Sequence, residues 1–242
     1  MNHVIEKEVK LVAPIVVTNE YVTVPETTLQ NGIVVPEFKV GKYITGQEND
    51  VLAITVTATP WTDINFHDAK AEAIKAGLKL ITETQYLAIA LNISQQAINW
   101  TGGEVGKGKL FQGIRWDNVD GAQPGTYERE DEDERRWHEL SNGERVFDFA
   151  GNCYSWIFDD VQGDRYGIVN KEFAADSASV TTAPAPSMEK GVGWYPDVGW
   201  DWSGRALVRG GCWDSVDDAG VFYLYHYRPE YENDFVGFRC TN

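Results

Sequence analysis

The sequence predicts an irregular, turn-rich α+β or all-β domain with two helices, extended strands and long loops. Three observations carry that reading. Nine Trp and 23 Gly stand beside only two Met, a balance that favours turns and aromatic packing over a helical bundle. Helical periodicity is confined to residues 65–94. Strand-like runs bracket the remainder, at FKVGKYIT (38–45), RALVRGG (205–211) and VGFRC (236–240).

Each element follows in order. Residues 1–36, rich in Val, Thr and Pro, read as an N-terminal extended segment or arm, with residues 37–242 as the domain. In NFHDAKAEAIKAGL (65–78), Phe66, Ala69, Ala73, Ile74 and Leu78 share one helical face. Asn65 can cap that helix, and Gly77 suits its stop. TETQ (82–85) is a capping box, in which Thr82 and Gln85 satisfy each other's amides. Tyr86, Ile89, Ala90 and Ile93 then form an apolar stripe. Beyond Trp100 the pattern dissolves. EREDEDERR (128–136) reads as a solvated loop or helix face, and AADSASVTTAPAPS (174–187) as a long loop. The sequon Asn92-Ile93-Ser94 falls inside a helix end, where a glycan has no access.

Charge excludes several classes. A formal net charge of −16 repels phosphate backbones and anionic lipid, so neither nucleic-acid binding nor membrane docking is expected. MNHVIEKEVKLVAP lacks the basic-then-apolar order of a signal peptide, and no run is long enough to span a bilayer. The reading is therefore of a soluble protein. Cys153, Cys212 and Cys240 are too few and too far apart for a disulfide framework or a zinc knuckle. His3, His67, His138 and His226 have no metal-binding spacing. Asp159, Asp160 and Asp164, like Asp214, Asp217 and Asp218, do not fit an EF-hand, although such loops could hold a structural calcium ion. No other cofactor and no catalytic set is expected.

The aromatics are more telling. Phe222, Tyr223, Tyr225, Tyr227, Tyr231 and Phe235 crowd together. Burial in a strand suits Val221, Phe222 and Leu224, but Tyr225-His226-Tyr227-Arg228 lacks apolar alternation and runs into Pro229, so it reads as loop. Tyr supplies contact area at low entropic cost and short polar residues supply adaptable hydrogen bonds, which is the composition of a recognition surface.

Several motifs, taken in order, resemble the formylglycine-generating-enzyme branch of the C-type lectin fold. FKVGKYIT is similar to that family's opening strand, and PWTDINFHDAKAEAIKAGLKLITETQYLAIA (60–90) to its two-helix stretch. GNCYSWIFDD (151–160) resembles its GNVWEW segment, and RALVRGGCW (205–213) and VGFRC its R-x-x-R-G-G-x-W and closing G-F-R. The order of the set, from about residue 38 to 240, makes it specific. The resemblance implies a C-type lectin fold of the formylglycine-generating-enzyme type. The enzymes of that family carry paired redox or copper-binding cysteines just before the closing strand. Those positions fall near Gly220 and Val221, where this chain has no Cys, and the His-rich iron site of the sulfur-transfer relatives is missing too. Oxidase or iron-dependent oxidoreductase activity is therefore the alternative reading, and the disfavoured one.

The framing also resembles the variable proteins of diversity-generating retroelements: R-G-G-x-W, a diversified stretch, A-G-V-F-Y-L, further diversified positions, then G-F-R. Here these are Arg209 to Trp213, Ala219 to Leu224, and Gly237 to Arg239. In such systems template adenines, typically of Asn codons, are randomised. The resemblance thus implies a variable region of about 212–235 that binds ligand through Asp214, Ser215, Val216, Asp217, Asp218, Tyr225, His226, Tyr227, Arg228, Tyr231, Asn233, Asp234 and Phe235. Trp213, Glu230 and Glu232 cannot be reached from Asn codons and should be fixed. Arg209, Gly210, Gly211, Trp213, Val221, Phe222, Leu224, Gly237 and Phe238 should form the scaffold, with the variable residues in one exposed patch. The implied partner is a protein on a target cell or surface, met by a protein displayed on a virion or cell surface. A homo-oligomer would raise affinity through avidity.

Overall fold

The structure is a computed structural model that describes residues 17–116, 118–128, 134–184 and 187–242. The chain opens with β1 (Tyr21–Val24), β2 (Thr27–Thr28), β3 (Val34–Val35) and β4 (Phe38–Gly41). Next come β5 (Gly46–Glu48), β6 (Val51–Ala53), β7 (Thr59–Pro60) and α1 (Phe66–Lys75). β8 (Lys79–Leu80) leads into α2 (Glu83–Ser94). After a long irregular stretch follow β9 (Trp137–Glu139), β10 (Arg145–Phe147), β11 (Tyr154–Ile157) and the short α3 (Ala178–Thr181). β12 (Ala206–Arg209), β13 (Leu224–Tyr227), β14 (Val236–Phe238) and β15 (Cys240–Thr241) complete it.

Two four-stranded sheets organise the molecule. One runs β1-β4-β15-β8 and joins both ends of the chain; the other runs β13-β12-β11-β14, with β14 parallel to β11. The closing VGFRC links them. Its β14 half lies in the second sheet and its β15 half in the first, with Arg239 between. The buried Arg239 guanidinium donates to the carbonyls of Gly41 (2.6 Å), Phe147 (2.6 Å) and Asp148 (3.1 Å), stitching three segments together. Gly237 is required because a Cβ there would lie 2.9 Å from the Trp61 carbonyl and 3.0 Å from Cys153 Sγ.

Both helices start where the sequence places them. Asn65 accepts from the Asp68 amide, and Thr82 and Gln85 complete the capping box. Their faces differ from expectation. Ile74 is 62% exposed, because α1 packs on one side only and its core contacts are Phe66, Ala69 and Ala73. α2 is buried from Tyr86 to Ser94, with no solvent face there, since β2, β3 and α3 enclose it.

Other expectations are also corrected. A boundary at residue 37 would separate β1 from β4, which pair along their full length, with Val22 and Val24 in the core. Residues 1–16 lie outside the described residues, as does the 129–133 part of the charged run. Of the rest, Glu128 is exposed as expected, but residues 134–136 are not a solvated face: Glu134 and Arg136 are buried and Arg135 is half-buried. Arg136 forms a two-pronged pair with Asp148, at 2.8 and 2.6 Å. The small polar stretch read as loop contains α3, whose Ala178, Ser179 and Val180 are buried against α2. Small residues there permit close approach to the helix.

Candidate ligand-binding surface

The framing motifs of the C-terminal segment are core. Arg209 is fully buried and forms a bidentate pair with Glu83 at the start of α2, with Nε 2.9 Å from Oε2. It also donates to the carbonyls of Phe222 (2.9 Å) and Ser179 (3.0 Å). Gly210 and Gly211 turn the chain off β12 with φ of 97° and 84°, values that L side chains adopt only with strain. A Cβ on Gly211 would come within 2.6 Å of Ala219 Cβ. Val221, Phe222, Leu224 and Phe238 are all buried, and Trp213 is half-buried.

Two loops and one edge strand emerge from this frame. In the first loop Asp214, Val216 and Asp217 are exposed and Asp218 is half-buried. Ser215 departs from the expected exposed patch, since it is only 6% exposed. Its hydroxyl accepts from the Cys212 amide at 3.0 Å and its amide donates to the Cys212 carbonyl at 3.0 Å, closing the turn. Gln112 holds the loop's far side through the carbonyls of Asp217 and Ala219. Tyr225, His226 and Tyr227, read as loop, instead lie in β13 at the sheet edge, paired to Val208, Leu207 and Ala206 of β12. β13 has β12 as its one sheet neighbour, and its aromatic side chains are half-buried against other aromatic residues.

The second loop carries exposed Arg228 and Asp234, with Tyr231, Asn233 and Phe235 half-buried. Of the unreachable residues, Glu232 ties it to the cap of α1 and Glu230 stays exposed near it. Glu232 accepts from Asn65 Nδ2 at 2.8 Å, and Glu230 lies 3.8 Å from His67 Nε2. The loop backbone is tied to the same helix end, through Phe66 N to Pro229 O and Asp63 N to Asn233 O, both 3.0 Å.

The aromatic side chains form a continuous band. Tyr227 and Tyr231 stack with centroids 4.4 Å apart and planes 9° apart, and Tyr225 lies on His226 at 4.8 Å and 14°. His226 meets Trp202 at 4.3 Å, and Trp200 packs edge-on against Trp202 at 5.9 Å. Burial, together with the charge of Arg205, lowers the His226 pKa to about 4, so its imidazole is neutral at physiological pH. Burial raises the Tyr227 hydroxyl, which stays protonated. The Trp194–Trp202 half of this band was not found from sequence. Its Trp residues are spread through a Gly- and Pro-rich stretch without periodicity, and only their density gave a signal.

Among the described residues, no three His, Cys, Asp or Glu converge on a point that could hold a metal ion. Several of the aspartates weighed for calcium accept hydrogen bonds from backbone amides. Asp159 accepts from the amides of Val161 and Gln162, Asp160 from Thr84, and Asp164 from Tyr166 and Ile168. The three cysteines are unpaired and buried, and desolvation raises the thiols of Cys212 and Cys240 to about 11 and about 12. At Gly220, a Cβ would sit 2.3 Å from both Gly193 N and the Val192 carbonyl carbon.

The profile of the sulfatase-modifying factor enzyme 1-like domain matches residues 16–242. The chain belongs to that family. Its mixed α+β architecture is accordingly the C-type lectin fold of the formylglycine-generating-enzyme type, as the motif order implied. No curated protein sequence matches it. Among solved structures it is similar to Treponema denticola variable protein 1, at 13% identity and a TM-score of 0.47, covering 94% of this chain and 92% of that one. It is also similar to PvdO from Pseudomonas aeruginosa, at 13% identity and a TM-score of 0.43, covering 92% and 91%. CarF is a third, at 10% identity and a TM-score of 0.47, covering 94% and 99%. Within this sulfatase-modifying factor domain, the segment between the RGGCW and VGFRC motifs supplies the exposed aromatic and acidic surface.

Proposed function

We propose that this protein is a non-enzymatic, ligand-binding variable protein of the kind diversified by retroelements, and that the exposed side chains of residues 214–235 recognise a protein target. The supporting observation is the division of that segment by burial. RGG, Val221, Phe222, Leu224 and Phe238 are core, whereas Asp214, Val216, Asp217, Arg228 and Asp234 are exposed and Tyr225, His226, Tyr227, Tyr231, Asn233 and Phe235 are half-exposed. Side chains outside the core can change without repacking it. Of the residues that Asn codons cannot reach, Glu232 is hydrogen-bonded to the Asn65 cap of α1, and Glu230 approaches His67 of that helix.

The crowded backbone at Gly220 favours the same reading over oxidase chemistry. A cysteine placed there would overlap the 192–193 chain, so the paired thiolates of the enzymes have no counterpart.

A displayed library tests the proposal. Codons of the NNC type would replace those for Asp214, Val216, Asp217, Tyr225 to Arg228, Tyr231, Asn233 and Asp234. Most members should remain folded, and selection against an arbitrary globular protein should return binders that differ at these positions. A library that is mostly unfolded, or thiol-dependent oxygen uptake by copper- or iron-loaded protein, would overturn it.

A further inference from the structure

Two large apolar side chains stand exposed beside the segment yet outside it. Trp116 is 46% exposed and holds a left-handed φ of 67°. A bulky residue in that region is strained, and such strain gathers at functional sites. The Trp116 amide donates to the Ser215 carbonyl at 2.8 Å, which ties its backbone to the first loop, where Val216 is itself 47% exposed. Trp200, also 46% exposed, extends the aromatic band past Trp202 and His226 at the other part of the segment.

Carboxylates are dense in the same stretches of chain. Asp214, Asp217, Asp218, Glu230, Glu232 and Asp234 lie in the segment, against Arg228 as its own cation. Asp197 and Asp201 flank Trp200 in sequence and are exposed. Lys109 approaches Asp217 at 4.0 Å and Arg205 faces His226, and the balance remains acidic, as it is for the whole chain at −16. Indole and phenol faces on an acidic surface favour a planar cation, which can stack on the rings and donate to nearby acids at once. The molecule already seats guanidinium this way: Arg135 lies 3.8 Å from the ring centroids of both Phe111 and Trp137.

We infer that Trp116 and Trp200 are fixed contacts of the binding surface, lying outside the variable segment, and that the surface accepts an arginine-bearing polypeptide. This rests on the ligand-binding reading above. The fixed indoles supply adhesion that every variant shares, and the variable positions supply discrimination.

The test uses the full chain and two synthetic peptides, acetyl-GRGRGRGRG-amide and its all-lysine counterpart, titrated at physiological salt. The arginine peptide should bind at least about five-fold more tightly than the lysine peptide. Trp116→Ala and Trp200→Ala should each weaken it by about ten-fold, with Trp→Phe at either position restoring much of the loss. Both indoles are exposed, so an unchanged Tm checks that the variants remain folded. Equal binding of the two peptides, no binding of either, or parental affinity in both alanine variants would overturn the inference. Tyr231→Ala separates the two levels. Loss of binding there with none in the Trp variants discards the fixed indoles but keeps the segment as the binding surface; no loss in any of the three discards both.

Discussion

Glu83 and Arg209 show how single residues hold this frame. Both side chains are fully buried, and a buried pair is costly to break because the surviving charge has no solvent. Arg209→Met should therefore cost about 3–5 kcal/mol, measured by urea unfolding, and Glu83→Gln should fall in the same range. Asp159 behaves differently. Desolvation first, then the charge of Glu83, raises its pKa to about 6 from 3.8. The folded state thus binds this proton more tightly than the unfolded one, so the contribution is present below pH 3.8 and is lost as pH rises through 6. Asp159→Asn keeps an oxygen for the Val161 and Gln162 amides and removes that loss. The variant's Tm relative to wild type should rise between pH 4 and pH 7; a difference that stays flat would contradict the assigned shift.

At the scale of elements, the loop from Gly210 to Gly220 and the β13 edge were only half legible in sequence. The motif ends announced themselves, because RGG and GFR are demanded by positive φ, close backbone approach and a buried guanidinium. The helix caps were legible for the same local reason. Ser215 was not, since a serine that closes its own turn looks the same in sequence as an exposed one. Tyr225 to Tyr227 were misread because successive side chains of the strand meet aromatic partners, His226 at Trp202 and Tyr227 at Tyr231, so no apolar–polar alternation marks it. Ile74 and α3 failed through tertiary context: what packs on a helix is set by segments distant in the chain. These placements make a contrast. Val216→Ser, Asp217→Ser, Arg228→Ser and Asp234→Ser should each alter stability by less than about 0.5 kcal/mol. Ser215→Tyr and Gly220→Cys should each destabilise by about 3 kcal/mol or more, through overpacking and backbone overlap. Thermal melts of the six variants check the division.

For the whole molecule, two sheets joined through β14, Arg239 and β15 give a rigid base, and the last thirty residues leave and rejoin it. No helix among the described residues is long and apolar enough to cross a membrane. The acidic surface makes any charge-assisted encounter salt-dependent, and the folded base separates that surface from stability. The central claim is that the surface was built to vary, and sequencing the DNA around the gene tests it most directly. The account predicts a near-identical repeat of the segment coding for residues 210–236, beside a reverse transcriptase gene. Its differences should fall at adenines in codons for exposed or half-exposed positions such as 214, 216, 217, 225–228, 231 and 233–235. Codons for Trp213, Ala219 to Leu224, Glu230 and Glu232 should be spared. Absence of such a repeat, or differences concentrated in the codons of buried residues, would contradict it.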